Sequence, residues 1–78
     1  MREFWIRLGS MEDVEAFVSI ATSRAFPISV RDDQHKIRGG SFMEMFCLDF
    51  NQPLRVVVQC SEEELDALRR DVDRFLVK

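Results

Sequence analysis

The sequence has few of the residues on which most catalytic and metal sites depend. Among its 78 residues there is one histidine and no tyrosine, and the two cysteines, Cys47 and Cys60, are far apart in the chain. No C-x-x-C pair, glycine-rich phosphate loop or Ser/His/Asp arrangement is present. The sequence therefore favours no metal, no cofactor and no enzymatic activity. We expect both cysteines to be reduced and packed as small apolar residues, with one disulfide as the alternative.

An excess of positive charge is also missing. The formal net charge is -3 and the pI is about 5.0, so composition gives no sign of binding to nucleic acid or to an anionic membrane. No apolar run approaches the roughly 20 residues that span a bilayer. The first residues, Met1 to Arg7, are charged too often for a signal peptide. We expect a cytoplasmic protein with one domain over residues 1–78, because a chain this short has room for a single core.

Four short segments alternate apolar with polar residues, the pattern of half-buried strands. They are Phe4 to Leu8, Ile28 to Arg31, Lys36 to Arg38 and Leu54 to Cys60. The polar run Asp32 to His35 predicts a turn that joins the second and third strands as a hairpin.

Three segments repeat apolar residues at helical spacing. The first begins at Ser10, has Ala25 as its last apolar position and is stopped by Pro27; the second covers Phe42 to Leu48 after Ser41; the third follows Ser61 and includes Phe75. Ser10 with Asp13, and Ser61 with Glu64, have the spacing of capping boxes. The three consecutive glutamates after Ser61 are therefore interpreted as a helix start and not as a metal site.

The order strand, helix, strand, strand, helix, strand, helix predicts an α+β fold. We expect an open-faced β-sandwich, in which a four-stranded antiparallel sheet carries three helices on one face. The other face should be mostly wet, and its predicted residues are Trp5, Arg7, Ser29, Arg31, Arg55 and Gln59.

The second helix is apolar on almost every side, which is unusual for a surface helix. We expect Met45 and Leu48 to face the sheet, with Cys47 as a further candidate. The predicted exposed side consists of Phe42, Met43 and Phe46. An exposed apolar side of this kind usually marks an interface, so these residues are predicted to bind a protein partner. Deeper burial of the helix and packing in a homodimer are the alternatives.

The stretch Gly40 to Leu48 resembles the HPr-type phosphocarrier proteins of the bacterial sugar phosphotransferase system. In that family a serine opens a short second helix and is followed by a methionine and further apolar positions up to a leucine. Ser41, Met43, Met45 and Leu48 match this pattern. The order of elements is similar from Phe4 to Phe75, so the resemblance implies the HPr-like fold.

The sequence differs from the family pattern at the start of the first helix, where the family carries out phosphoryl transfer. The resemblance implies a phosphoryl-accepting histidine at the start of the first helix, with an arginine two residues later and a proline following. Here the segment Leu8 to Asp13 contains none of the three, and His35 lies in the predicted hairpin turn. Glu12 and Asp13 would also repel a phosphoryl group. We therefore expect an HPr-like regulatory or protein-interaction domain without phosphohistidine transfer.

Two alternatives remain. The resemblance implies that Ser41 could be a regulatory phosphorylation site, because Gram-positive members of the family are modified at the serine that opens the second helix. The opposing interpretation is that Ser41 is a plain N-cap. The second alternative is an unrelated ferredoxin-like ligand-binding module. Strand order distinguishes it, since only the HPr-like fold places the fourth strand between the first and the second.

Overall fold

Four strands and three helices follow one another in the order expected from the sequence. The computed structural model describes residues 2–77. The strands are β1 (Arg2–Ile6), β2 (Ile28–Arg31), β3 (Lys36–Arg38) and β4 (Leu54–Val58). The helices are α1 (Met11–Thr22), α2 (Phe42–Met45) and α3 (Glu62–Asp71), and a 3₁₀ turn follows at Asp73–Phe75. None of the helices formed by residues 2–77 has the length and apolar composition needed to cross a bilayer.

The sheet places its last strand in the middle. The order is β1-β4-β2-β3, and every neighbouring pair is antiparallel. In the central register Val56 lies opposite Phe4 on one side and Val30 on the other. The predicted α+β fold with an HPr-like sheet is confirmed. The ferredoxin-like alternative is wrong, because β4 lies between β1 and β2.

One face of the sheet and the inner sides of the helices form the core. The inward strand positions Ile6, Val30, Leu54, Val56 and Val58 are fully buried. The opposite face is not wet throughout, since Val57 lies on it and is only 6% exposed. Val57 is on a central strand between two neighbours, and the side chains around it shield it from water.

The helices are shorter than the apolar spacing predicts. α1 ends at Thr22, and Ala25, expected on its apolar stripe, is exposed and outside the helix. The hydroxyl of Thr22 donates to the carbonyl of Val18, and that of Ser23 donates to the carbonyl of Ile20. Hydroxyl side chains that bond to backbone carbonyls in this way compete with helix propagation. The helix therefore ends several residues before Pro27.

The second and third helices also give way to tighter turns. After Met45 the chain makes turns in which the amides of Cys47 and Leu48 bond three residues back, and this leaves Leu48 buried but Cys47 exposed. The expectations that Cys47 packs as an apolar residue and that it faces the sheet are therefore wrong. α3 ends at Asp71, and the 3₁₀ turn brings Phe75 into the core.

The first strand and the last described residues lie side by side. The ladder of β1 ends at Ile6, so Leu8 is buried as predicted but is not part of the strand. Past that point the amide of Arg7 donates to the carbonyl of Phe75, and the amide of Val77 donates to that of Trp5. The last described residues thus lie along the outer edge of β1 at the end near Ile6.

The Asp32 carboxylate holds the β2–β3 turn together. The Asp32 carboxylate accepts hydrogen bonds from the backbone amides of Gln34, His35 and Asp49 at 2.8, 2.6 and 3.0 Å. The amide of Gln34 has the largest effect and, with the other donors, lowers the pKa of Asp32 to about 2, although burial of the side chain opposes the shift. Because Asp49 follows α2, this one side chain ties the hairpin to the loop before β4.

We predict that Asp32→Ala lowers the urea midpoint of unfolding, since three amides lose their acceptor. The lowered pKa means that the ionised form stabilises the fold at every pH above the unfolded value of about 3.9. The advantage of the wild type over Asp32→Ala should therefore be constant from pH 7 to about pH 5 and shrink as the pH falls towards 2. Asp33→Ala, at the exposed neighbouring position, is the control and should change little. Equal losses in the two variants would contradict this role for Asp32.

Candidate functional site

Some apolar residues of α2 and its C-cap lie in the core, and others are exposed to solvent. Met45 is fully buried, whereas Met43 is 78% exposed and Phe46 is 47% exposed. Phe42, predicted to be exposed, is instead partly buried and packs against the core. Its ring meets that of Phe46 edge to face, with centroids 5.1 Å apart. The Phe42 ring therefore packs against the Phe46 ring. Of the three residues predicted to be exposed, only Met43 and Phe46 are.

A methionine from the first helix extends this surface. Met11 is 52% exposed and lines, together with Phe46, a groove of about 480 Å³ between the start of α1 and the end of α2. Met43 of α2 and Phe46, the C-cap of this helix, are three positions apart, a spacing that makes side chains neighbours on a helix surface. We call Met11, Met43 and Phe46 the α1–α2 patch. The sequence gives no signal for Met11, because it stands among polar residues in the first turn of α1 and is not part of the apolar repeat of that helix.

The groove beside the patch includes the start of α1. Ser10 caps the helix by accepting from the amide of Asp13 at 3.2 Å, as predicted. The carboxylate of Asp13 does not complete the expected capping box, since it accepts from the amide of Gly9, at 3.0 Å. The backbone donors of Gly9 and Asp13 are therefore already bonded to the chain's own side chains. With Glu12 alongside, this end of α1 is poorly suited to a phosphoryl group.

The histidine lies elsewhere. His35 is exposed in the turn between β2 and β3, and its Nδ1 is 3.3 Å from Asp32 Oδ1. His35 therefore contacts Asp32 within this turn and is not part of the start of α1.

Ser41 acts as the N-cap of α2. Its hydroxyl accepts from the amide of Glu44 at 3.4 Å, and the side chain is partly exposed. The guanidinium of Arg38 lies 3.4 Å from the carboxylate of Glu44. Ser41 therefore has both a cation and a carboxylate close to its cap, two positions before Met43 in the chain.

The remaining candidates for chemistry have structural roles. Ser61 and Glu64 form the complete capping box that was predicted, and the three glutamates at the start of α3 are exposed. Both cysteines are free thiols. Cys60 packs against the core as expected, and burial raises its pKa. Among residues 2–77 no three His, Cys, Asp or Glu side chains come together as metal ligands.

Comparison with known proteins gives a structural likeness and no sequence match. No protein-family model matches the chain, and a search of curated proteins finds no match. Among solved structures, the fold is similar to the crystal structure of HPr-C-His from Thermoanaerobacter tengcongensis, with a TM-score of 0.75 and 20% sequence identity. The alignment covers 95% of this chain and 89% of that one. At this identity the likeness shows the fold, and the fold of this chain is that of an HPr protein.

Proposed function

We propose that this chain is an HPr-like regulatory domain of the cytoplasm that binds a protein partner through the α1–α2 patch and does not transfer phosphoryl groups through histidine. The observation that carries the proposal is the exposure of Met11, Met43 and Phe46 on adjoining parts of two helices. Large exposed apolar side chains that cluster in this way mark interaction sites in soluble proteins. The free thiols of Cys47 and Cys60 agree with a reducing compartment.

The composition of the patch fits a surface that adapts to its partner. Methionine is flexible and polarisable, so Met11 and Met43 can adjust to different partner shapes. Phe46 is more rigid, because its ring rests against that of Phe42. A rigid aromatic ring flanked by adaptable side chains is a common arrangement for the few residues that dominate binding energy.

The absence of histidine from Leu8 to Asp13 supports the non-enzymatic part of the proposal. Phosphoryl transfer through an imidazole requires the ring at the transfer site and donors that stabilise the phosphate. The donors at Gly9 and Asp13 are engaged, and the acidic first turn opposes a dianion.

We predict that Met43→Ser/Phe46→Ser weakens partner binding by at least tenfold, since truncating even one dominant residue of an interface costs about 2 kcal/mol and about 1.4 kcal/mol is a factor of ten. The partner is first captured from cytoplasmic extract of the source organism with the wild type and then purified. Binding is measured by isothermal titration calorimetry. Phe42 is not substituted, because its packing against the core would confound binding with stability.

Val77→Ser is the matched control, because Val77 is 45% exposed and is not part of the patch. It should bind like the wild type. Sedimentation of the free chain distinguishes a self-interface: if the wild type is a dimer and Met43→Ser/Phe46→Ser a monomer, the patch joins two copies and the proposed partner is wrong.

We also predict that the chain acquires no acid-labile phosphate when it is incubated with phosphoenolpyruvate and the general enzyme of the phosphotransferase system. An HPr protein that has the histidine, treated in parallel, shows that the enzyme is active. Acid-labile label that disappears in His35→Gln would refute the proposal that histidine transfer has been lost.

Control of the same patch through Ser41 is the second candidate function. Two observations favour this function. Ser41 is partly exposed, and Arg38 lies close to the cap that Ser41 forms, since Arg38 makes an ion pair with Glu44. A phosphate on Ser41 would compete with Glu44 for Arg38 and would place a dianion beside an apolar interface. Such a modification would therefore weaken docking.

We predict that a serine kinase of the source organism labels the wild type but not Ser41→Ala, and that the phosphorylated chain binds the captured partner several-fold more weakly. Ser41→Ala itself should lose about 1 kcal/mol of stability through the missing cap. Label that persists in Ser41→Ala would rule out this site, and labelling without any change in affinity would rule out control of the patch.

A further inference from the structure

The sheet face opposite the helices carries an in-register row of cations. Arg55 of β4 lies opposite Arg31 of β2, and Arg31 lies opposite Lys36 of β3. On the other side of β4, Arg55 lies opposite Trp5 of β1. We call Arg55, Arg31 and Lys36 the cationic row. With strands about 4.8 Å apart, the row and Trp5 together extend about 14 Å across the sheet.

Acidic side chains of the described residues neutralise only one of the three charges in the cationic row. Arg55 forms an ion pair with Glu3, on the neighbouring strand. Within residues 2–77 neither Arg31 nor Lys36 is in a salt bridge, and the buried Nε of Arg31 has no hydrogen-bond partner. Like charges directly opposite each other on neighbouring strands destabilise a sheet. The unpaired cations therefore lower the stability of the fold unless an anionic group of another molecule binds to them.

A shallow groove lies beside the cationic row. It has a volume of about 200 Å³ and is lined by Arg31, Lys36 and Arg38, with Ser29 and Val57 at its floor positions on the sheet. None of the lining residues contributed by the described chain is acidic. Arg38 is highly exposed and is held only by its contact with Glu44. Three cations thus face a space large enough for carboxylate side chains.

We propose that this face binds an acidic polypeptide segment, whose carboxylates pair with Arg31, Lys36 and Arg38 and whose apolar side chain rests on Trp5. Trp5 is 48% exposed at the end of the cationic row, so it offers an apolar surface next to the charges. Arginine forms bidentate pairs with carboxylates, and the planar Arg31 side chain is already partly ordered by burial.

Charge complementarity favours a peptide over a nucleic acid. The chain as a whole has a net charge of -3, so the local excess of cations on this face stands against an acidic surface overall. A nucleic acid strand carries a charge about every 3.4 Å and would meet the acidic remainder of the surface beyond the groove. Sheet faces that bind RNA generally stack two or three bases on aromatic side chains, and among the described residues of this face Trp5 is the one aromatic. A short acidic segment can place its carboxylates beside Arg31, Lys36 and Arg38 without extending over the acidic surface around them.

The single tryptophan provides the test, since the chain has no tyrosine and the emission of Trp5 reports on this face directly. The probe is a synthetic ten-residue peptide that alternates glutamate with serine and carries one leucine near its end. At about 20 mM salt it should change the emission of Trp5 in a saturable way and bind several-fold more weakly at about 300 mM, where screening is strong. The same peptide with glutamine in place of each glutamate should not bind.

Matched variants locate the site. Arg31→Gln/Lys36→Gln should weaken peptide binding at least tenfold, and Arg38→Gln, an exposed substitution that leaves folding intact, should weaken it several-fold. Arg69→Gln/Arg70→Gln removes equal charge from α3 and should bind like the wild type. Equal losses in both double variants, no binding of the glutamate peptide, or tighter binding of an oligouridine strand through Arg31 and Lys36 would each overturn the proposal. Self-association abolished by Arg31→Gln/Lys36→Gln would also overturn it, in favour of a second copy of the chain.

Discussion

The position of β4 between β1 and β2 is the constraint on which the rest of the molecule depends. Four of its five residues are buried, and it pairs along its length with strands that come from the beginning and the middle of the chain. No other strand has neighbours on both sides over so many residues. Because β4 is the last strand in the chain, the sheet closes only when the residues up to Val58 are available. The same insertion aligns Trp5, Arg55, Arg31 and Lys36 across four strands.

All three helices contribute buried residues that cover the inner face of the sheet. α1 and α3 supply long apolar stripes, but α2 has only four residues and contributes Met45 to the core together with Leu48 from the following turn. A helix this short cannot bury two sides. Phe42 is partly covered, and Met43 and Phe46 are left outside. The apolar patch thus follows from the shortness of α2 and from the number of apolar residues packed into it.

Local patterns were sufficient to predict the number and order of the strands and the fold class, although β1 lies two residues earlier than predicted and β4 ends at Val58 instead of Cys60. Alternation gave β2 and β3 with correct bounds, and the cap at Ser61 with Glu64 was present as expected. The ends of helices were harder, because hydroxyl bonds at Thr22 and Ser23 compete with a helix that apolar spacing would continue. Met11 and the cationic row were not predicted, since both depend on which segments meet in space: Met11 acquires its neighbour only when α2 packs beside α1, and the row exists only in the observed register.

The two borders of the sheet are closed in different ways, and this bears on how the protein tolerates high concentration. An open strand edge invites pairing with another molecule. At one border β3 is only three residues long and carries Lys36 and Arg38, which disfavour an incoming strand. At the other border, the final described residues bond to β1 through Val77 and Leu76. Without Val77 the carbonyl of Trp5 would lose its hydrogen-bond partner at this edge, so the last described residues cover the end of β1 that another strand could otherwise pair with and so oppose ordered aggregation.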